Sequence, residues 1–207
     1  MHTHYYKPVK PFGHLAESRE GDNVALLTYQ DFYRLNKTGF LDTETLSRHC
    51  KPKRTKKELY VVIQENVPPE LVNNISQAFS DWEPFVPLVF IKNSDPGGGA
   101  QPDVRVGFFK RDHGDGFPFD GPGNVLAHAS NGQGDIMHFD AEENWRVGAV
   151  AGAFDVGSVA MHEIGHLLGL AHSPDKTALM YAYIGAGEIK PIADDDKDGM
   201  RDLYYWS

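Results

Sequence analysis

Eleven consecutive residues, His162-Glu163-Ile164-Gly165-His166-Leu167-Leu168-Gly169-Leu170-Ala171-His172, concentrate the chemistry this chain could perform. Histidines four residues apart lie on one face of a helix, so His162 and His166 can turn both imidazoles toward a single metal ion. Gly169 lets the chain leave the helix through a left-handed or otherwise strained conformation and swings His172 round as a third ligand. Three neutral imidazoles with one corner open to water describe a catalytic zinc, since a structural zinc has all four positions filled by protein. Glu163, beside the first ligand, is placed to take the proton of that water. The competing reading is an amphipathic helix whose histidines pack in a core. Adding Gly169 and His172 to the bare H-E-x-x-H pattern lowers its chance occurrence by about two orders of magnitude.

A second group of ligand-type residues lies upstream. His113, Asp115, His128 and His138 supply three imidazoles and one carboxylate, enough for a closed four-coordinate zinc. Singly, each reads as a solvated loop side chain. Together they would clip segment 113–143, a long glycine-rich stretch that reads as having little core of its own.

The elements that must position these residues are of mixed type. Leu59-Tyr60-Val61-Val62-Ile63 is a β-branched run and predicts a strand, as do Leu88–Ile91 and Val104–Phe109. Pro68-Pro69-Glu70 opens a helix with Leu71, Val72, Ile75, Ala78, Phe79 and Trp82 on its apolar face. Pro96-Gly97-Gly98-Gly99 is a loop, Gly157–Leu168 the metal-binding helix, and Ala193–Tyr204 a last helix with an acidic start. Asp194-x-Asp196-x-Asp198-Gly199 imitates the start of a calcium loop. The twelfth position is Tyr205, which has no carboxylate, so a capped acidic helix start is the better reading.

Upstream, Tyr29, Phe32, Tyr33 and Leu35 have helical spacing, Gly39 breaks the pattern, and Asp42 or Thr43 can cap a second helix. Residues 51–57 form a basic linker suited to cleavage. The chain therefore divides into residues 1–57 and 58–207, which the family resemblance given next makes a pro-segment remnant with basic linker and a catalytic domain.

The pattern H-E-x-x-H-x-x-G-x-x-H, with Met180 eight residues after the third ligand and Ser173 directly after it, resembles the matrixins, the matrix metalloproteinase family of metzincins. The resemblance implies an α+β zincin (metzincin) fold, a twisted mixed five-stranded sheet with three helices, in a minimal form without a hemopexin-like domain. It makes Met180 the Met-turn beneath the metal. It matches His113, Asp115, His128 and His138 to structural zinc ligands, so two zinc ions are expected. One calcium site would take Asp120, Asp140 and Glu143 with carbonyls of Gly121, Gly123 and Val125. A second would use Asp103 and Asp135 with carbonyls of Gly132 and Gly134, in a loop three residues shorter than the family's usual form.

The function implied is a secreted zinc-dependent endopeptidase that hydrolyses internal peptide bonds of extracellular and matrix proteins through a metal-activated water, with Glu163 as general base. The alternative is a catalytically inactive, metal-stabilised binding module. Substrate would lie extended along the edge segment Val125-Leu126-Ala127-His128-Ala129, in a pocket walled by Ser158, Tyr181, Ala182 and Tyr183. Ser158 stands where Leu is frequent, which predicts room for a bulky apolar side chain just after the cleaved bond unless a neighbour fills the space; Ala182 stands where Pro is usual, which leaves the pocket depth open. Cys50 is placed as a latency switch whose thiolate would occupy the zinc of a zymogen. Its surroundings, Arg48-His49-Cys50-Lys51-Pro52, depart from the family motif, though Lys51 and Lys53 could favour the thiolate.

Composition narrows the partners. A formal charge of −9 argues against nucleic acid, and no apolar run approaches the ~20 residues that span a bilayer, so neither nucleic acid nor membrane is expected. A monomer acting on protein or peptide substrates is expected. The single cysteine excludes an internal disulfide. No basic-then-apolar leader is visible near Met1, although Asn36-Lys37-Thr38 and Asn74-Ile75-Ser76 are sequons compatible with export.

Overall fold

Alternation of buried and partly exposed residues makes β1 (Glu58–Ile63) the hub of a sheet, with Leu59 and Val61 turned into the core. It pairs in parallel with β2 (Val89–Lys92) on one side and with β3 (Val104–Phe109) on the other. Parallel neighbours need a crossover, and α1 (Pro69–Trp82) supplies it between β1 and β2. Pro69 suits the first turn of α1, where its missing N–H would have no helical partner. Leu71, Ile75, Ala78, Phe79 and Trp82 are buried at the helical spacing expected of them.

The computed structural model describes residues 56–93, 99–130 and 134–205. Cys50, the 26–50 pattern, most of the basic linker, the Asn36 sequon, Gly132 and most of the Pro96–Gly99 loop lie outside the described residues.

The sheet continues beyond β3 with β5 (Asp135–Asp140), parallel to it, and ends on β4 (Ala127–Ser130), antiparallel to β5, giving the order β2-β1-β3-β5-β4. This is the expected mixed five-stranded sheet, with three α-helices among the described residues. Two-residue strands β6 (Trp145–Arg146) and β7 (Phe154–Asp155) add a small parallel pair.

Segment 113–143 departs from the sequence expectation. It is not a core-poor loop, because β4 and β5 both lie within it and Leu126, Met137 and Phe139 are fully buried. The strands were hidden by His128, Asp135, His138 and Asp140, polar residues that are themselves buried. Phe139 stacks on Phe108 at 4.9 Å and meets the edge of Trp145 at 5.4 Å, which ties β5 into the core.

Against this sheet lies α2 (Val156–Leu168), packed on α1 and β4. Trp82 Nε1 of α1 donates to the Met161 carbonyl at 2.9 Å, fixing the two helices in register. The last helix, α3 (Asp194–Tyr205), buries Met200, and its Tyr204 hydroxyl donates to the Leu168 carbonyl, one of the acceptors left over at the end of α2.

Candidate active site

Both ends of α2 are built by specific residues. Asp155 caps its start, its carboxylate accepting from the Ser158 N–H at 2.8 Å and the Ser158 hydroxyl at 2.7 Å. Gly169 closes it in the left-handed region, at φ 115°, where a side chain would be strained. The chain then turns back, and His172 joins His162 and His166.

The three imidazoles converge. His166 Nε2 lies 3.1 Å from His162 Nε2 and 3.1 Å from His172 Nε2. His162 Nδ1 donates to the Leu179 carbonyl at 2.8 Å, and His166 Nδ1 donates to the Leu170 carbonyl at 2.9 Å. A carbonyl only accepts, so each ring carries its proton on Nδ1 and turns an Nε2 lone pair inward. Lone pairs gathered at this spacing repel unless a cation lies between them. Burial, with His166 beside it, also holds His162 well below its ordinary value, in the neutral form a metal requires.

Glu163 is buried next to this cluster, and burial alone pushes its carboxyl up to about 8. Among the described residues nothing charged or hydrogen-bonded offsets that burial. A cation on the adjacent imidazoles would stabilise the carboxylate it lacks. The donor set therefore fits zinc.

Met180 forms the floor. A Cβ on Gly165, between the first two ligands, would run into Met180 Sδ and crowd the Trp82 ring, so the glycine is needed for the turn to close under the helix. Asp196 holds that turn from the other side, accepting from the Leu179 N–H (2.9 Å), the Met180 N–H (2.9 Å) and the Ala193 N–H (2.7 Å) while only 2% exposed. Read before folding, Asp196 belongs only to an acidic helix start. The signal that could have found it is its spacing behind Met180 together with burial, and burial is invisible before folding.

At the second cluster, His113 Nε2, His128 Nε2 and His138 Nδ1 approach the same oxygen, Asp115 Oδ2, at 2.8, 2.8 and 2.9 Å. His113 Nδ1 donates to the Arg111 carbonyl, so its Nε2 faces the carboxylate as one acceptor facing another. A divalent cation resolves that contact. Burial, then the neighbouring His128, lowers His138 to about 4, and burial also lowers His128. Burial opposes ionisation of Asp115, but the Phe117 N–H and the imidazoles of His128 and His138 bring it down to about 2. Neutral imidazoles around an ionised carboxylate suit a closed zinc site. These four residues and the trio of α2 are the two converging ligand groups among the described residues.

The carboxylates matched to calcium are less tightly gathered. Gly121 N–H donates to Asp140 at 3.2 Å, Gly123 N–H to Glu143, and Val125 N–H to Asp120 at 3.4 Å, so all six matched residues ring one turn. Burial, then mutual repulsion, raises Glu143, and burial raises Asp140. At the second matched position Asp103 pairs with Lys56 at 2.6 Å, and a Cβ on Gly134 would press on the Arg105 guanidinium. Asp135 is buried on β5.

A pocket opens beside the trio, bounded by His162 and Ser158 of α2, Leu179 and Tyr181 of the Met-turn, and Ile184 and Lys190 beyond it. Its volume is ≈ 190 Å³ including the open mouth. Of the expected wall residues, Ser158 and Tyr181 line it. Ala182 is buried beside it, and Tyr183 packs on Tyr181 at 5.5 Å. The Ser158 hydroxyl accepts the Lys190 N–H at 2.9 Å, which brings the Lys190 segment against this wall. Leu126 and Ala127 bury their side chains where the chain enters β4, the outermost strand.

Comparisons with known proteins agree with this geometry. The sequence profile of the matrixins matches residues 54–205. The chain is 33% identical to Metalloendoproteinase 5-MMP of Arabidopsis thaliana, over 87% of this chain and 62% of that protein. It is 33% identical to Metalloendoproteinase 1 of Glycine max, over 87% of this chain and 72% of the relative. Neutrophil collagenase of Homo sapiens is 35% identical over 90% of this chain, which spans 45% of that longer protein.

Proposed function

This chain belongs to the matrixin family, and from that premise we propose that it is a zinc metalloendopeptidase acting on internal bonds of extracellular proteins. One observation carries the proposal: three buried or half-buried imidazoles, two with their tautomers fixed by backbone carbonyls, converge beside a buried carboxylate that has no other partner among the described residues.

His162, His166 and His172 would hold a zinc ion, which when bound would supply the Lewis acidity to activate a water molecule and polarise the scissile carbonyl. The protein does the rest. The Leu179 and Leu170 carbonyls keep the ligand rings in one orientation. Glu163 accepts the proton of the attacking water and delivers it to the leaving amine, so no covalent intermediate on the protein is needed. Burial keeps competing water away from the carboxylate. Substrate adds as an extended strand along β4, with backbone pairing for affinity and the pocket for selectivity. A second zinc on His113, Asp115, His128 and His138, and calcium at the turn of Asp120, Asp140 and Glu143, would hold this edge in place. A second calcium, on Asp103 and Asp135, is the weaker extension, because Lys56 already engages Asp103.

The test is hydrolysis of an internally quenched peptide by the wild type with and without chelator, and by Glu163→Ala. Cleavage that vanishes in both arms supports the reading. A zinc-loaded wild type that binds peptides without cutting any would overturn it in favour of an inactive binding module.

A further inference from the structure

Lys190 is an unusual residue to find in the wall of a pocket. It is only 5% exposed, yet it carries an ammonium. Its Nζ donates to the Lys176 carbonyl at 2.9 Å and the Ala178 carbonyl at 3.1 Å, and it lies 4.9 Å from the centre of the Tyr181 ring. Among the described residues no carboxylate is in ion-pair contact with it. Its backbone N–H is tied to Ser158, which is tied in turn to Asp155, so the segment is anchored to the start of α2.

We propose that Lys190 sets the side-chain preference of this pocket, making it a short, cationic site that selects Glu or Asp immediately after the cleaved bond over a long apolar residue. The inference rests on the peptidase reading only for the position of the cleaved bond.

An ammonium has three donors, and two are used on carbonyls, leaving one for an incoming acceptor. A carboxylate entering the pocket would receive a charge-assisted hydrogen bond in a site sheltered from water. A leucine entering the same space would seal that cation under hydrocarbon with its third donor unmet, which is costly. The expectation of a roomy apolar pocket, drawn from Ser158 alone, omits the residue that occupies the room. Nothing in the sequence around Ile189-Lys190-Pro191 marks this lysine as buried.

The experiment compares peptides identical except for Glu, Ser or Leu after the scissile bond. Two readouts are used: cleavage by the zinc-loaded wild type, and calorimetric binding to zinc-loaded Glu163→Ala. Each is repeated with Lys190→Gln, which keeps an amide donor for the carbonyls, and with Lys190→Met. The wild type is expected to favour Glu over Leu by about tenfold or more, and either variant to erase or reverse that order. A Leu preference in the wild type, an order unchanged by both variants, or no binding of any peptide overturns the proposal. Should the peptides bind in the expected order but remain uncut, the pocket assignment is supported and the peptidase reading fails. The wild-type order is decisive even if both variants misfold.

Discussion

At the residue scale, Glu163 has two opposed properties. The proposed base role needs an ionised carboxylate, while burial pushes its carboxyl up to about 8 in the absence of metal. Removing that carboxylate is expected to cost about 10²–10⁴ in turnover, and Glu163→Gln should retain its zinc by elemental analysis because the three ligands are untouched. Without metal the same substitution should stabilise the fold. Between the ordinary value of 4.5 and about 8, the folded state holds a proton that the unfolded chain has released, so Glu163 costs stability as pH rises through that window. Thermal melts in chelator should show Glu163→Gln above the wild type at pH 8 and the gap closing toward pH 5. A constant gap would argue against burial as the cause. The placement of His162, Glu163 and His166 is legible in the sequence because a helix converts spacing directly into shared direction, and Gly169 marks the turn that brings His172 to them. The placement of Lys190 and Asp196 is not, since their roles depend on which distant backbone groups fold against them.

At the scale of elements, α1 and α2 were read within a residue or so of their observed limits, because apolar periodicity and Pro or Gly punctuation agree there. Strands β4 and β5 were obscured by their polar ligand residues. A strand that carries metal ligands on one face and core on the other has no clean alternation. The Met-turn was expected from the resemblance, but not the tie that holds it. Asp196 joins α3 to the turn by accepting three backbone N–H groups. Asp196→Ala would strand those donors, a loss of about 3 kcal/mol, or a melting point lowered by about 10 °C. Zinc should also leave α2 faster in that variant. Unchanged melting would show that water replaces the carboxylate without loss.

At the scale of the whole molecule, the proposed function gives the two ligand clusters separate work, chemistry for one and scaffold for the other. The His113–His138 cluster joins the glycine-rich turn to β4 and β5, so the metal-free protein should be markedly less stable than the loaded one. Its pH dependence has a definite sign. In the unfolded chain His138 takes its proton near 6.5, whereas in the folded, metal-free chain it does so near 4. Between those values only the unfolded state is protonated, so stability falls as pH drops from 6.5 through 4. Melts in chelator across that range should show the loss, and His138→Gln should flatten it. The segment bearing Cys50 makes a separate prediction: if the thiol restrains the enzyme, intact Cys50→Ser should cleave peptide faster than the intact wild type, and equal rates would remove the switch. One last feature offers an optical handle on all of this. The buried Trp82 indole lies against Gly165, the helix residue between His162 and His166, and the Met180 sulfur meets the same glycine. With Trp145 and Trp206 replaced by Phe, its fluorescence should change when zinc is stripped and recover when zinc returns, giving metal occupancy in real time without any substrate.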